Sequence, residues 1–176
     1  MEINEILARL KSLNKQADET IASMKYKESQ MFEEYCESLT NKIKDIYTEI
    51  SPLLQMISEG TYAVPVTEKV YGTKHPCDTP YGYGLILEKN VFNFGTHNYL
   101  GWSYSYRIRS DFDGFKGDMN TEYIRQHYKM LVDNWDAWKE TVFSEFMKQY
   151  TERIEKRLAN ATEQFETHKE EWTFRE

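Results

Sequence analysis

Apolar residues near the N-terminus recur at alternating intervals of three and four: Ile3, Leu7, Leu10, Ala17, Ile21, Met24, Met31 and Tyr35, with polar Asn14 and Glu28 interrupting the series. Such spacing gives a helix one apolar seam of the coiled-coil type. Two intervals of four follow through Tyr35, Leu39 and Ile43, a stutter, before the alternation resumes through Ile46, Ile50, Leu53 and Ile57. A second seam runs Ile124, Tyr128, Leu131, Trp135, Trp138 and Val142, steps by fours through Phe146, Tyr150, Ile154 and Leu158, and returns to Ala161, Phe165, His168 and Trp172. The pattern predicts two long helical arms, residues 1–59 and 120–176, that fold back on each other as an antiparallel hairpin with Leu39 near Val142. Ser51-Pro52 predicts a bend, because proline removes an amide and crowds the preceding turn, and Gly60 predicts the end of the first arm.

The segment between the arms, 60–119, changes character. Pro65, Pro76 and Pro80, several glycines, and many β-branched and aromatic residues favour strands and turns. Strands are expected near Tyr62–Tyr71, Tyr83–Glu88, Val91–Phe94 and Trp102–Ser110, with Lys89-Asn90 as a tight hairpin turn. In the last of these, Trp102, Tyr104, Tyr106 and Ile108 are expected on one face and Ser103, Ser105, Arg107 and Arg109 on the other. The predicted fold is therefore α+β: a long antiparallel helical hairpin, or coiled coil, with a small antiparallel sheet inserted between its helices, in a single domain. A two-helix hairpin buries only one stripe on each helix, and Tyr26, Phe32, Phe143 and Trp172 add apolar surface beyond it, so self-association is expected as well.

Charge narrows the partners. The formal net charge is −7; residues 1–59 carry 7 basic and 11 acidic side chains, residues 60–119 carry 6 of each, and residues 120–176 carry 9 and 12. Acidic arms repel nucleic acid, whose binding needs lysine and arginine to displace counterions, and favour a basic surface on another protein. No apolar run approaches the roughly 20 residues needed to span a bilayer. Residues Met1–Leu13 mix acidic, apolar and basic side chains, unlike a secretion signal, so the expected location is cytoplasmic and Cys36 and Cys77 are expected as free thiols.

Candidate chemistry is sparse. The segment Asp111–Asp118, with Glu122 beyond it, has the outline of a calcium loop, but Phe115 and Lys116 stand where an oxygen ligand and a glycine are required, so a helix-capping turn is the better reading. His75, Cys77, Asp78 and His97 are the only concentrated set of ligand or nucleophile types, and they lack the paired spacings of a zinc site. Tyr81-Gly-Tyr-Gly84 has no following lysine and hydroxyl of a phosphate loop and reads as a turn. No metal, cofactor or catalytic residue is assigned.

The aromatic load of the middle segment exceeds what a small sheet can bury, and surplus tyrosine and tryptophan suit contact surfaces. Tyr81, Tyr83, Tyr99 and Trp102, with Arg107 and Arg109 as anion contacts, form the expected partner-binding set. The functional expectation is a non-catalytic protein-binding protein, in the manner of stoichiometric inhibitors that phages and mobile elements encode against bacterial nucleases and other defence proteins. Two rivals remain: a small-ligand or single-stranded nucleic-acid binder stacking rings on Trp102, Tyr104 and Tyr106, and an enzyme using Cys77 and His97.

Overall fold

The computed structural model describes residues 2–67, 70–71, 80–98, 101–115 and 121–174. Helix α1 spans Ile3–Met56, five strands follow, and helix α2 spans Thr121–Glu171. Neither helix contains glycine, and Pro52 is the one proline in either. That proline lies in the last turns of α1, and the helix continues through it to Met56.

The strands are β1 (Tyr62–Pro65), β2 (Val70–Tyr71), β3 (Pro80–Glu88), β4 (Val91–Asn98) and β5 (Gly101–Ile108). They pair antiparallel in the order β1-β3-β4-β5, with β2 beside the start of β3. Lys89 and Asn90 make the β3–β4 turn, and Asn90 takes the left-handed backbone (φ 59°) that such a turn demands. Period-two alternation puts Tyr62, Val64, Leu85, Leu87, Phe92, Phe94 and Ile108 on one face, as their cross-strand pairing shows. All seven are buried, in one core with Leu39, Ile43, Ile46, Ile50 and Leu54 of α1 and Ile124, Tyr128, Leu131, Trp135, Val142 and Phe146 of α2.

Two long helices with a small antiparallel sheet between them in sequence are thus present, but the helices do not form a hairpin. Arg125 lies over the ring of Phe32, with its guanidinium carbon 4.8 Å from the ring centre. Further along, Glu49 accepts a hydrogen bond from Trp135 Nε1 at 2.8 Å and faces Lys139 Nζ at 3.5 Å. Beyond the end of α1, Arg153 donates to the carbonyl of Thr61 at 2.6 Å. Residue numbers rise together on both sides, so where the helices overlap they run in the same direction, and Leu39 does not face Val142. An apolar seam carries no direction, and each helix packs on the sheet as well as on the other helix: Tyr47 stacks on Phe92, while Tyr62 packs on Phe146 and Tyr150.

Parallel alignment leaves the helices out of step, with an arm projecting at each end. Residues 3–35 of α1 are exposed without exception, and beyond Tyr150 only Ile154 and His168 of α2 are half-buried. The first arm extends roughly 50 Å at about 1.5 Å per residue.

Candidate interaction surfaces

The β4–β5 register shifts between Asn93 and Gly95, so that Asn93 pairs with Arg107 while Gly95 pairs with Tyr104. One extra residue on β5 makes this a bulge, and the face of every residue before it is reversed. Trp102, expected beside Tyr106 and Ile108, therefore lies on the opposite face, the one carrying Arg107. Tyr106 and Ile108 face the helices, Tyr106 against Phe112 and Phe115.

Helix α2 accommodates the irregularity. Tyr128 donates its hydroxyl proton to the carbonyl of Tyr106 and accepts from the amide of Phe94 at 3.1 Å. His127 Nε2 donates to the carbonyl of Phe94 at 2.9 Å. Burial raises the Tyr128 phenol far above its usual range and lowers the His127 imidazole, the latter opposed by its bond to Phe94.

Trp102 rests on glycine. A Cβ added at Gly84 would lie 2.5 Å from Trp102 Cη2, and one added at Gly82 would lie 2.5 Å from His97 Nε2. The two rings, with centroids 4.6 Å apart, occupy the space that side chains at 82 and 84 would fill. Tyr81-Gly-Tyr-Gly84 is therefore a strand segment that seats two rings, and not a turn. Among the described residues, His97 Nε2 and the buried Oδ1 of Asn93 have no hydrogen-bond partner.

The six expected contact residues do not converge on one described surface. Tyr83 turns toward the helices and stacks on Phe94 and Trp138. Trp102 and Arg107 lie on the other face, where Arg107 pairs with Glu88. Arg109 is exposed beyond the end of β5. The side chain of Tyr81, the whole of Tyr99, and His75, Cys77 and Asp78 lie outside the described residues. So do Lys116 to Asp118 of the calcium-loop outline, whose first part is a bend that buries Phe112 and Phe115. No group of three or more His, Cys, Asp and Glu able to hold a metal occurs among the described residues, and none of their helices is long and apolar enough to cross a membrane. Cys36 is a free thiol.

Two features were not singled out from sequence. One is a cleft of about 790 Å³ lined in part by Phe32, Cys36, Thr40, Lys44, Asp113 and Arg125, which no local spacing marks because its walls come from distant parts of the chain. The other is the exposure of the arms. Ile3 (71%), Met31 (68%), Leu158 (67%) and Trp172 (74%) stand in water among other large apolar side chains, on seams the sequence analysis expected to be paired within the chain. No protein family, curated protein or solved structure matches the chain.

Proposed function

We propose that this is a non-catalytic, cytoplasmic protein-binding protein whose main contact surfaces are its two projecting helical arms, held apart by the α+β body. The observation that carries the reading is the exposure of large apolar side chains along both arms, Leu158, Phe165 and Trp172 among them, since large exposed apolar patches on folded proteins mark sites of association. The C-terminal arm suits a foreign partner: Phe165 and Trp172 give it aromatic anchors, and Glu163, Glu166 and Glu170 give it acidic steering toward a basic surface. A phage- or mobile-element-encoded inhibitor of a bacterial nuclease or other defence protein is one form of this function. The net charge of −7 supports it through competition with nucleic acid for a basic channel.

The test uses the full-length chain as bait in lysate of its native host, with captured proteins quantified by mass spectrometry. Combined Leu158→Ser, Phe165→Ser and Trp172→Ser substitution is expected to release the partner while Trp102→Ala retains it, both variants showing cooperative unfolding and the far-UV spectrum of the parent. The opposite outcome would return the contact surface to the sheet.

A further inference from the structure

The N-terminal arm has a seam whose polar breaks and flanking charges select one occupant. Leu7, Asn14, Ile21 and Glu28 occupy one heptad position of this seam, and Ile3, Leu10, Ala17 and Met24 the other. Phe32, where the arm joins the body, has Arg125 over its ring and is still exposed, like every residue before it. The exposed seam therefore continues the α1 face that packs in the body from Leu39 onward.

We infer that this arm pairs antiparallel with the same arm of a second copy, making a two-fold dimer centred between Lys15 and Gln16. That register sets Leu7 opposite Met24 and Leu10 opposite Ile21, each contact occurring twice. Asn14 meets only the small Ala17, and Glu28 falls opposite Ile3 at the edge of the overlap, where its carboxylate remains in water. Lys11 and Asp18, which flank the seam, face each other across the interface, also twice.

The alternatives conflict with the same residues. Moving the register one heptad along, toward the body, sets Lys11 against Lys25 and Asp18 against its own copy. A parallel in-register pair buries Glu28 against Glu28 in the seam, and the flanking positions then offer no pair of opposite charges. Pairing of the N-terminal arm with the C-terminal arm of another copy would not close, because the arms project from opposite ends of the body, and such contacts propagate into filaments. The antiparallel overlap from Ile3 to Glu28 covers about three to four heptads, the length at which a repeated seam supports a coiled coil. It also leaves the two bodies at opposite ends of the paired arms, where they do not clash.

Sedimentation equilibrium of the purified full-length chain tests the assembly without any host component, so its result is separate from the pull-down on the C-terminal arm. The expected mass is twice 21.0 kDa, and Leu10→Ser with Ile21→Ser should reduce it to 21.0 kDa with the near-UV spectrum of the body unchanged. Lys11→Glu alone should weaken the dimer, and adding Asp18→Lys should restore it. In a background with Cys36→Ser and Cys77→Ser, the pair Leu7→Cys and Met24→Cys should oxidise to a covalent dimer, while Leu7→Cys alone should not. A monomer at every concentration, growth beyond the dimer, or self-linkage of Leu7→Cys alone would each overturn the proposal.

Discussion

The hydroxyl of Tyr128 lies 3.1 Å from the amide nitrogen of Phe94 and fills the break that the bulge opens in the β4–β5 ladder. The same oxygen donates to the carbonyl of Tyr106, so one phenol satisfies a donor and an acceptor that the sheet leaves without strand partners. Helix and sheet are thereby joined by a polar contact inside the apolar core. Replacing Tyr128 with Phe preserves the ring and orphans both backbone groups, at about 1–3 kcal/mol for each. Chemical denaturation should report that loss, and hydrogen exchange should show the Phe94 amide as the most deprotected in β4. An unchanged midpoint would mean that water or a strand shift takes over the role of the hydroxyl.

His127, one position earlier, makes stability depend on pH. Burial holds its folded pKa below the value of the unfolded chain, near 6.5. As pH falls through 6.5, the unfolded state takes up a proton that the folded state resists, and stability drops until folded His127 is itself protonated. His127→Gln keeps a donor for the Phe94 carbonyl and removes the titration. The fall in melting temperature between about pH 7.5 and about pH 5.5 should therefore be smaller in the variant than in the parent. An equal fall in both would show that His127 does not set the dependence.

Helix direction can be checked by chemistry alone. Glu49 meets Trp135 and Lys139, whereas the antiparallel arrangement expected from sequence placed Leu39 beside Val142. With Cys36 and Cys77 replaced by serine, Glu49→Cys with Lys139→Cys should be bridged within one chain by a short bis-maleimide, and Leu39→Cys with Val142→Cys should not. The reverse pattern would restore the hairpin.

What was legible in the sequence follows from which patterns carry direction. The helices, the strand-rich insert and the Lys89-Asn90 turn are local, set by seam spacing, turn chemistry and alternation, and all appear in the structure. Helix direction is not local. The stutters were legible as breaks, but their meaning differs from the one they suggested. The first, at Tyr35, Leu39 and Ile43, marks where α1 passes from open arm to buried helix, and the second, through Phe146 and Ile154, marks where α2 leaves the body. A change of burial partner shifts the apolar stripe, and two such shifts need not face each other. How the aromatic residues divide between core and surface was not legible for a related reason: counting side chains on an isolated sheet omits α2, whose Trp138 and Phe146 pack on Tyr83 and Tyr62. The faces of Trp102 and Tyr106 depended on a single inserted residue, which propensity does not reveal.

The glycines of β3 provide the last test, because they separate a seat for a ring from a flexible turn. At Gly84 an added methyl would lie 2.5 Å from Trp102 Cη2 and also 2.5 Å from the carbonyl oxygen of Val64. The ring can move, whereas the carbonyl belongs to the neighbouring strand and can yield only by opening the β1–β3 ladder. Overpacking of this kind costs about 1–3 kcal/mol, so Gly84→Ala should destabilise the protein and shift Trp102 fluorescence toward that of a solvated indole. Trp102→Ala removes one of the two collisions and leaves the Val64 carbonyl in place. The double variant should therefore be less destabilised than the sum of the single changes, without recovering the stability of the Trp102→Ala protein. Strict additivity would show that the indole does not rest on Gly84, and full recovery would show that the ring, and not the strand, sets the requirement for glycine.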